Sequence, residues 1–521
     1  MPKSRADARV QRSAERVNPN ILEAFYNHAL TYPGRVALVV GRDSYSYEKL
    51  AGISQEVSRR LGRRSRVGIL ASRTLEAYAG VLGTLWSGAA YVAINPALPE
   101  ERLVQLLRIT QLDALVTDRA GSQRIQGRVA EVAPEVIVSP SEFTFGSFER
   151  HYRPAEVSET DLAYIMFTSG TTGVPKGVMT EHGSVAQLIH LMQDRFRFHD
   201  KDRMSQTFEL TFDLSVFDMF MAWSSGAALF VVPASQLMAP GKFIKDNKLT
   251  VWFCVPSMAL FMQRMGMLKA GAFPSLRYSL FCGEALPLAA AQAWQGAAPH
   301  SIVENLYGPT EATVVCAGQR LTEIPSSTPN RGTVAIGYPF DGVEVDLVDS
   351  SLRPVAESAP GELLLSGRQL ARGYWNDPEM TAIKFPILNG KRWYRTGDLA
   401  YRDARGALHH LGRLDNQVKV LGHRVELEEV EAHLRAITGT DSVVALAWPI
   451  EDGCAKGIVA FVSGNLLDEN AAREAMRQRT PSYMVPQRIL EIDSMPLGPS
   501  GKFDRKALAL RLEQASGKVG L

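Results

Sequence analysis

The stretch FTSGTTGVPKG, residues 167–177, carries three threonines, one serine, three glycines and one lysine in eleven positions, between the apolar run LAYIM and the mixed run VMTEHGSV. Glycine loses entropy in any regular element and hydroxyls compete with the backbone for hydrogen bonds, so such a run is a poor packing element. Successive hydroxyls on a permissive backbone can instead wrap an anion in N–H and O–H donors, with a lysine adding charge. The spacing is not GxxxxGK[ST], so the arrangement of a P-loop ATPase does not transfer. Taken alone, the run reads equally well as an anion cradle or a surface turn.

Around it the chain alternates helix-like periodicity with short β-branched runs: VGILA at 67–71, AAYVAI at 89–94, ALFVV at 228–232 and VWFCVP at 251–256, with helical stretches such as SVAQLIHLMQDRF and PLAAAQAWQGA between them. That rhythm predicts α/β architecture with parallel sheets covered by helices. After residue 330 VEVDLVD and GELLLSG, separated by Gly, Asp and Pro turns, predict a β-rich unit, and a compact α+β unit follows a boundary at Arg413–Asn416. The expected division is a flexible leader 1–20, a core 21–412, a hinge 413–416, a lid 417–510 and a tail 511–521.

The 521 residues are 45% apolar, enough for a large core. Lys plus Arg number 57 against 55 Asp plus Glu, a net +2 that gives no reason to expect nucleic acid. No stretch reaches the roughly eighteen apolar residues of a membrane helix. MFMAWSSGAALFVVPA comes nearest, and its serines and glycine make it a buried helix followed by a strand. The Arg-rich N-terminus lacks the apolar centre of a signal peptide. Cys254, Cys282, Cys316 and Cys454 are scattered without metal-ligand spacing, so a cytoplasmic protein without structural zinc is expected.

Seven further stretches carry chemistry: FDLSVFD (212–218), FCGEALP (281–287), NLYGPTEATV (305–314), GRQLARGYWNDPEMTAIKF (367–385), YRTGDLA (394–400), LGRLDNQVKVLGHRVELEEVE (411–431) and PLGPSGKFDRKAL (496–508). Singly, each has a plain reading: Glu311 as a helix-start acid after Pro309, Tyr307 as core, Asp398 as a turn residue, Arg413 and Lys502 as solvated cations. In this order and spacing, from about residue 22 to 510, the set resembles the ANL superfamily of adenylate-forming enzymes. It looks most like amino-acid adenylation domains of nonribosomal peptide synthesis and their stand-alone relatives. The resemblance implies the ANL adenylation fold, with a large N-terminal domain and a small mobile C-terminal one.

It also implies roles. Thr168, Ser169, Thr171 and Thr172 would close over the β- and γ-phosphates of ATP, with Lys176 holding the loop, and Glu311 would bind Mg2+, a hard cation suited to carboxylate. Thr310 would contact the α-phosphate, Tyr307, Asn305 and Gly283 would wall the nucleotide, and Asp398 and Arg413 would hold the ribose. Lys502 would be the catalytic lysine, since charge shifts among substrate carboxylate, α-phosphate and leaving pyrophosphate. The small domain would then turn about Asp415, remove Lys502 and bring Gly422 beside a tunnel for a phosphopantetheine thiol. The chain would thus load a separate carrier protein.

Asp213 matches the aspartate that pairs with a substrate α-ammonium, because a carboxylate facing an apolar pocket needs a cation. The other positions matching specificity residues are Leu214, Phe217, Phe253, Leu280, Cys282, Leu306, Val314 and Val315, with Lys502 on the substrate carboxylate. Walls without polar side chains disfavour charged or strongly polar substrates. L-Proline is the expected fit. D- or L-alanine, on the resemblance to D-alanine–carrier protein ligases, and a nonproteinogenic or β-amino acid are the alternatives. An acyl-CoA synthetase, the rival class, would have no use for a carboxylate at 213.

Overall fold

The structure, a computed structural model, describes residues 18–142, 147–170, 174–237, 239–451, 454–464, 468–497 and 503–517. Successive strand residues face opposite ways, and that period of two sorts their side chains between layers. Val251 and Phe253 enter one core while Trp252 and Cys254 enter another. Tyr91 and Ala93 join the same core as Val251 and Phe253, and Val92 and Ile94 turn away from it. Two sheets therefore share one central core and each has a second core on its outer face.

The first sheet has nine strands. Ile302–Tyr307, Tyr278–Phe281, Val251–Cys254, Arg203–Gln206, Ala228–Val231 and Val36–Val40 run parallel in that spatial order, with antiparallel strands at both edges. The second sheet has seven strands, parallel through Leu162–Thr168, Ala90–Ile94, Arg66–Leu70, Ala114–Thr117 and Ile137–Val138, with Lys176–Glu181 antiparallel beside Leu162–Thr168. Helices Tyr47–Leu61, Leu75–Trp86, His182–Phe196 and Leu214–Ser224 supply the apolar layer between the sheets. Tyr47–Leu61 starts where Ser46 Oγ accepts the Lys49 N–H at 3.2 Å and stops at Gly62, whose φ is +59°. The run 219–234 is the expected helix and strand, Leu214–Ser224 then Ala228–Val231.

The β-rich unit is a four-stranded sheet of Val343–Val348, Gly361–Gly367, Tyr394–Arg402 and Leu408–Arg413. Residues 414–416 lead into the hairpin Gln417–Val420/His423–Glu426, the helix Leu427–Thr438 and a three-stranded sheet backed by Glu469–Arg479 and Arg505–Gly517. Two expected boundaries move. Asn20 is anchored, its Nδ2 donating to Ala155 O at 3.0 Å, because Ile21 and Leu22 behind it are buried. The last helix runs through residue 510, since Leu512 packs with Leu508, Val444 and Phe461. Residues 1–17 of the expected leader lie outside the described residues. Among the described residues no helix is long and apolar enough to cross a membrane.

Glu304, fully buried in Ile302–Tyr307, accepts from Arg195 on one oxygen and from Arg320 Nε at 3.1 Å on the other. Removing this carboxylate takes charged hydrogen bonds from two guanidiniums that still reach solvent, at a cost of about 1.5–3 kcal/mol. Glu304→Ala is expected to lower the thermal midpoint far more than Arg35→Ala, whose partner Asp200 is 42% exposed, in parallel melts.

Candidate functional site

Parallel pairing in register places Phe253 beside Leu280 and Phe281 beside Asn305, so these strands end at one level. The turns that follow, with the hairpin of the small unit above them, enclose a cavity of about 540 Å³. Open α/β sheets bind ligands at this carboxyl edge. Thr168, Ser169, Asp213, Leu214, Cys282, Gly283, Asn305, Leu306, Tyr307 and Thr310 line it from the core, Asp398, Arg413 and Asp415 from the approach to the small unit, and Gly422 from that unit itself.

One end is polar. Asp398 lies opposite Arg413 in the strand pair. Its carboxylate accepts from Tyr307 Oη, from Arg413 Nη1 at 2.8 Å and from His410 Nε2 at 3.3 Å. Burial alone would raise the Asp398 pKa, but His410, Arg413 and Tyr307 together hold it well below the usual carboxylate range. The other edge of the Arg413 guanidinium meets Asp415 through bonds of 2.6 and 2.7 Å. Asn305 donates to Ala335 O at 2.9 Å, while its buried Oδ1 has no partner and is left to accept from a ligand N–H. Gly308 is required here, because a Cβ would lie 2.5 Å from Val314 O. This wall fits a nucleoside in its chemistry, with a free amide acceptor and a charged carboxylate edge suited to paired hydroxyls.

Beyond the wall, Glu311 is 1% exposed and accepts from Tyr374 Oη and Arg424 Nη1, both at 2.8 Å. Burial would raise its pKa, yet the Arg424 charge and these hydrogen bonds bring it down to about 2. Its hard oxygen atoms suit Mg2+, and here Arg424 supplies the positive charge. The loop side is bound to the same segment. Ser169 Oγ donates to Arg424 O at 2.9 Å and accepts the Glu426 N–H at 3.1 Å. Gly170 N–H donates to Glu429 Oε2 at 3.1 Å, and Lys176 Nζ is 3.9 Å from Glu426.

At the apolar end Asp213 begins the helix Leu214–Ser224, its carboxyl pushed up to about 6 by burial against the pull of Thr310 and Lys419. Leu214, Cys282 and Leu306 reach the cavity beside it. Phe217, Phe253, Leu280, Val314 and Val315, expected on the wall, are buried behind it, with the Phe217 and Phe253 ring centroids 4.8 Å apart. Thr313 and Val314 hold φ of +54° and +71°, costly for β-branched residues. Gln369 over-determines the turn: its backbone oxygen accepts from Thr313 Oγ1 at 2.5 Å, and its side chain donates to Val315 O at 2.9 Å.

Gly422, at φ +85°, donates its N–H to Glu284 Oε1 at 2.6 Å, and a Cβ there would lie 2.9 Å from Val255. His423 stacks on Tyr483 at 3.7 Å and meets Phe212 edge-on at 4.7 Å. Phe212, Gly422, His423 and Tyr483 also line a second cavity of about 580 Å³, together with Arg73 and Pro99. Lys502, Thr171 and Thr172 lie outside the described residues. Sequence reasoning missed His410, Glu284, Arg424 and Glu429. His410 sits one strand period and a bulge from Arg413, whereas the other three acquire partners only through tertiary docking.

Residues 25–375 match the AMP-binding enzyme family. Tyrocidine synthase 1 of Brevibacillus parabrevis is 32% identical over 94% of the chain, and the chain spans 45% of that relative, so about half its length or less. Among solved structures, the Vibrio cholerae adenylation domain AlmE in complex with glycyl-adenosine-5'-phosphate superposes with a TM-score of 0.86 at 31% identity, covering 96% of this chain and 99% of that one. IdnL1 follows with a TM-score of 0.77 at 28% identity, covering 92% and 99%. Asp398→Asn removes the charge that Arg413 and a ribose would share. Its Kd for ATP, by calorimetry, is expected to rise on the order of tenfold, the worth of one charged hydrogen bond.

Proposed function

The chain belongs to the AMP-binding enzyme family, whose adenylate-forming members use ATP with Mg2+, and from that premise we propose that it joins a small apolar amino acid to AMP and then passes it to the phosphopantetheine thiol of a carrier protein. The observation that carries the reading is Asp213, a buried carboxylate beside the apolar Leu214, Cys282 and Leu306 with Thr310 and Lys419 near it, which suits a substrate ammonium group. Arg413, Asp398, Tyr307 and Asn305 take the nucleoside in this reading, and Ser169, Gly170 and Lys176 take the phosphates. Glu311 would hold Mg2+, which would supply charge neutralisation at the phosphates when bound. Lys502 stabilises the charge that builds as the substrate carboxylate attacks the α-phosphate. Gly422 stands at the approach of the thiol in this reading, in a close packing against Val255 that only a glycine allows.

Substrate size follows from the pocket floor. Phe217 and Phe253 pack on each other and are closed off from the cavity, so they set its depth and leave no slot between them. L-Proline is the largest side chain this reading accommodates. Alanine and glycine are the smaller choices, and the glycyl adenylate named for AlmE supports that end of the range.

Amino-acid-dependent ATP–pyrophosphate exchange over L-proline, both alanines and glycine tests the assignment. Exchange with one of these is expected, and exchange only with large or charged amino acids would overturn it. Lys502→Ala is expected to lose on the order of a hundredfold in rate. Asp213→Asn is expected to lose roughly a hundredfold in kcat/KM for the amino acid. Because the ionised carboxylate binds the ammonium, kcat/KM should be level above about pH 6 and fall as pH drops through that value, and Asp213→Asn should abolish that limb.

A further inference from the structure

The small unit touches the loop and Glu311 with a definite pattern of charge. A cation, Arg424, sits on the Glu311 carboxylate at 2.8 Å. Two carboxylates sit on the loop's donors: Glu429 accepts the Gly170 N–H at 3.1 Å, and Glu426 lies 3.9 Å from Lys176 Nζ. The Ser169 hydroxyl is consumed by Arg424 O and the Glu426 N–H. Positive charge therefore meets the site proposed for a metal, and negative charge meets the donors proposed for phosphate.

We propose that the segment Arg424–Glu429 is an internal counterpart of a divalent cation and its pyrophosphate, docking where they would bind and excluding them while it is docked. The inference rests on the adenylating reading only for the identity of the competing ions; the contacts themselves do not depend on the amino acid. With Arg424 at 2.8 Å from Glu311, a guanidinium stands where a metal ion would approach and repels it, and the Gly170 N–H, a single donor, is spent on Glu429 and not on a phosphate. The docked arrangement becomes available when pyrophosphate leaves, and docking opposes its return. Arg102, at 2.8 Å from Glu429, holds that carboxylate in place from the core side. Arg424, Glu426 and Glu429 are positioning residues in this scheme.

The test uses the full chain with fluorophores at Ile324→Cys on the core and Leu510→Cys on the small unit, positions 79% and 55% exposed, the native cysteines being buried. Mg2+ and pyrophosphate are titrated together, without ATP or amino acid, while energy transfer is read and binding is followed by calorimetry. Energy transfer is expected to shift as Mg2+ and pyrophosphate bind. Arg424→Gln and Glu429→Gln should each lower the midpoint at least threefold, and Arg424→Lys, which keeps the charge, should stay near wild type. Folding of each variant is read from its melting curve, and the two lie on different elements, so loss of one leaves the other. Binding without a shift, or one midpoint for all variants, would overturn the competition. Absence of pyrophosphate binding would overturn both this proposal and the adenylating reading beneath it, whereas failure of amino-acid exchange alone would leave this one standing.

Discussion

In-register parallel pairing is the constraint on which the rest depends. Val251–Cys254, Tyr278–Phe281 and Ile302–Tyr307 are held level, so the residues just beyond them, Val255, Gly283 and Gly308, form one rim. A slip of one residue would exchange the faces of every side chain on the strand, sending Phe253 outward and Trp252 into the shared core. The two sheets pack through that core, so register in one is enforced by helices that also touch the other. The cavity is thus fixed by the most buried part of the molecule and closed by its most separable part.

The turn after Glu311 shows what that fixity supports. Two consecutive β-branched residues at positive φ survive because Gln369 bonds the turn from a neighbouring segment and Gly308 lets the chain pass close. The backbone near the candidate metal ligand is therefore rigid at a local conformational cost, and the surrounding packing sustains it.

Much of this was legible in the sequence because local pattern and side-chain chemistry agreed. The alternation of β-branched runs and helices predicted parallel sheets, and the polar stretches marked the cavity rim, where Asp213, Tyr307, Asp398 and Gly422 meet. Depth was not legible: a pattern says that Phe217 and Phe253 face inward, but whether they touch ligand or sit one layer behind depends on how two rings pack. Nor was docking legible. Arg424 lies in an ordinary-looking hairpin, and its meeting with Glu311 arises from the placement of one unit on another. The lid runs past its expected bound at residue 510 because Leu512 follows Leu508 by one helical turn, onto the same apolar face.

The stack of His423 on Tyr483 lines both cavities, so one pair of rings borders the first cavity and the second. Both rings belong to the small unit, while Phe212, which meets His423 edge-on, belongs to the core. Mixed anhydrides are prone to hydrolysis, and excluding water prolongs the life of such a species. An anhydride in the first cavity would be shielded on this side by rings drawn from both units, so its lifetime would depend on how the two units sit together.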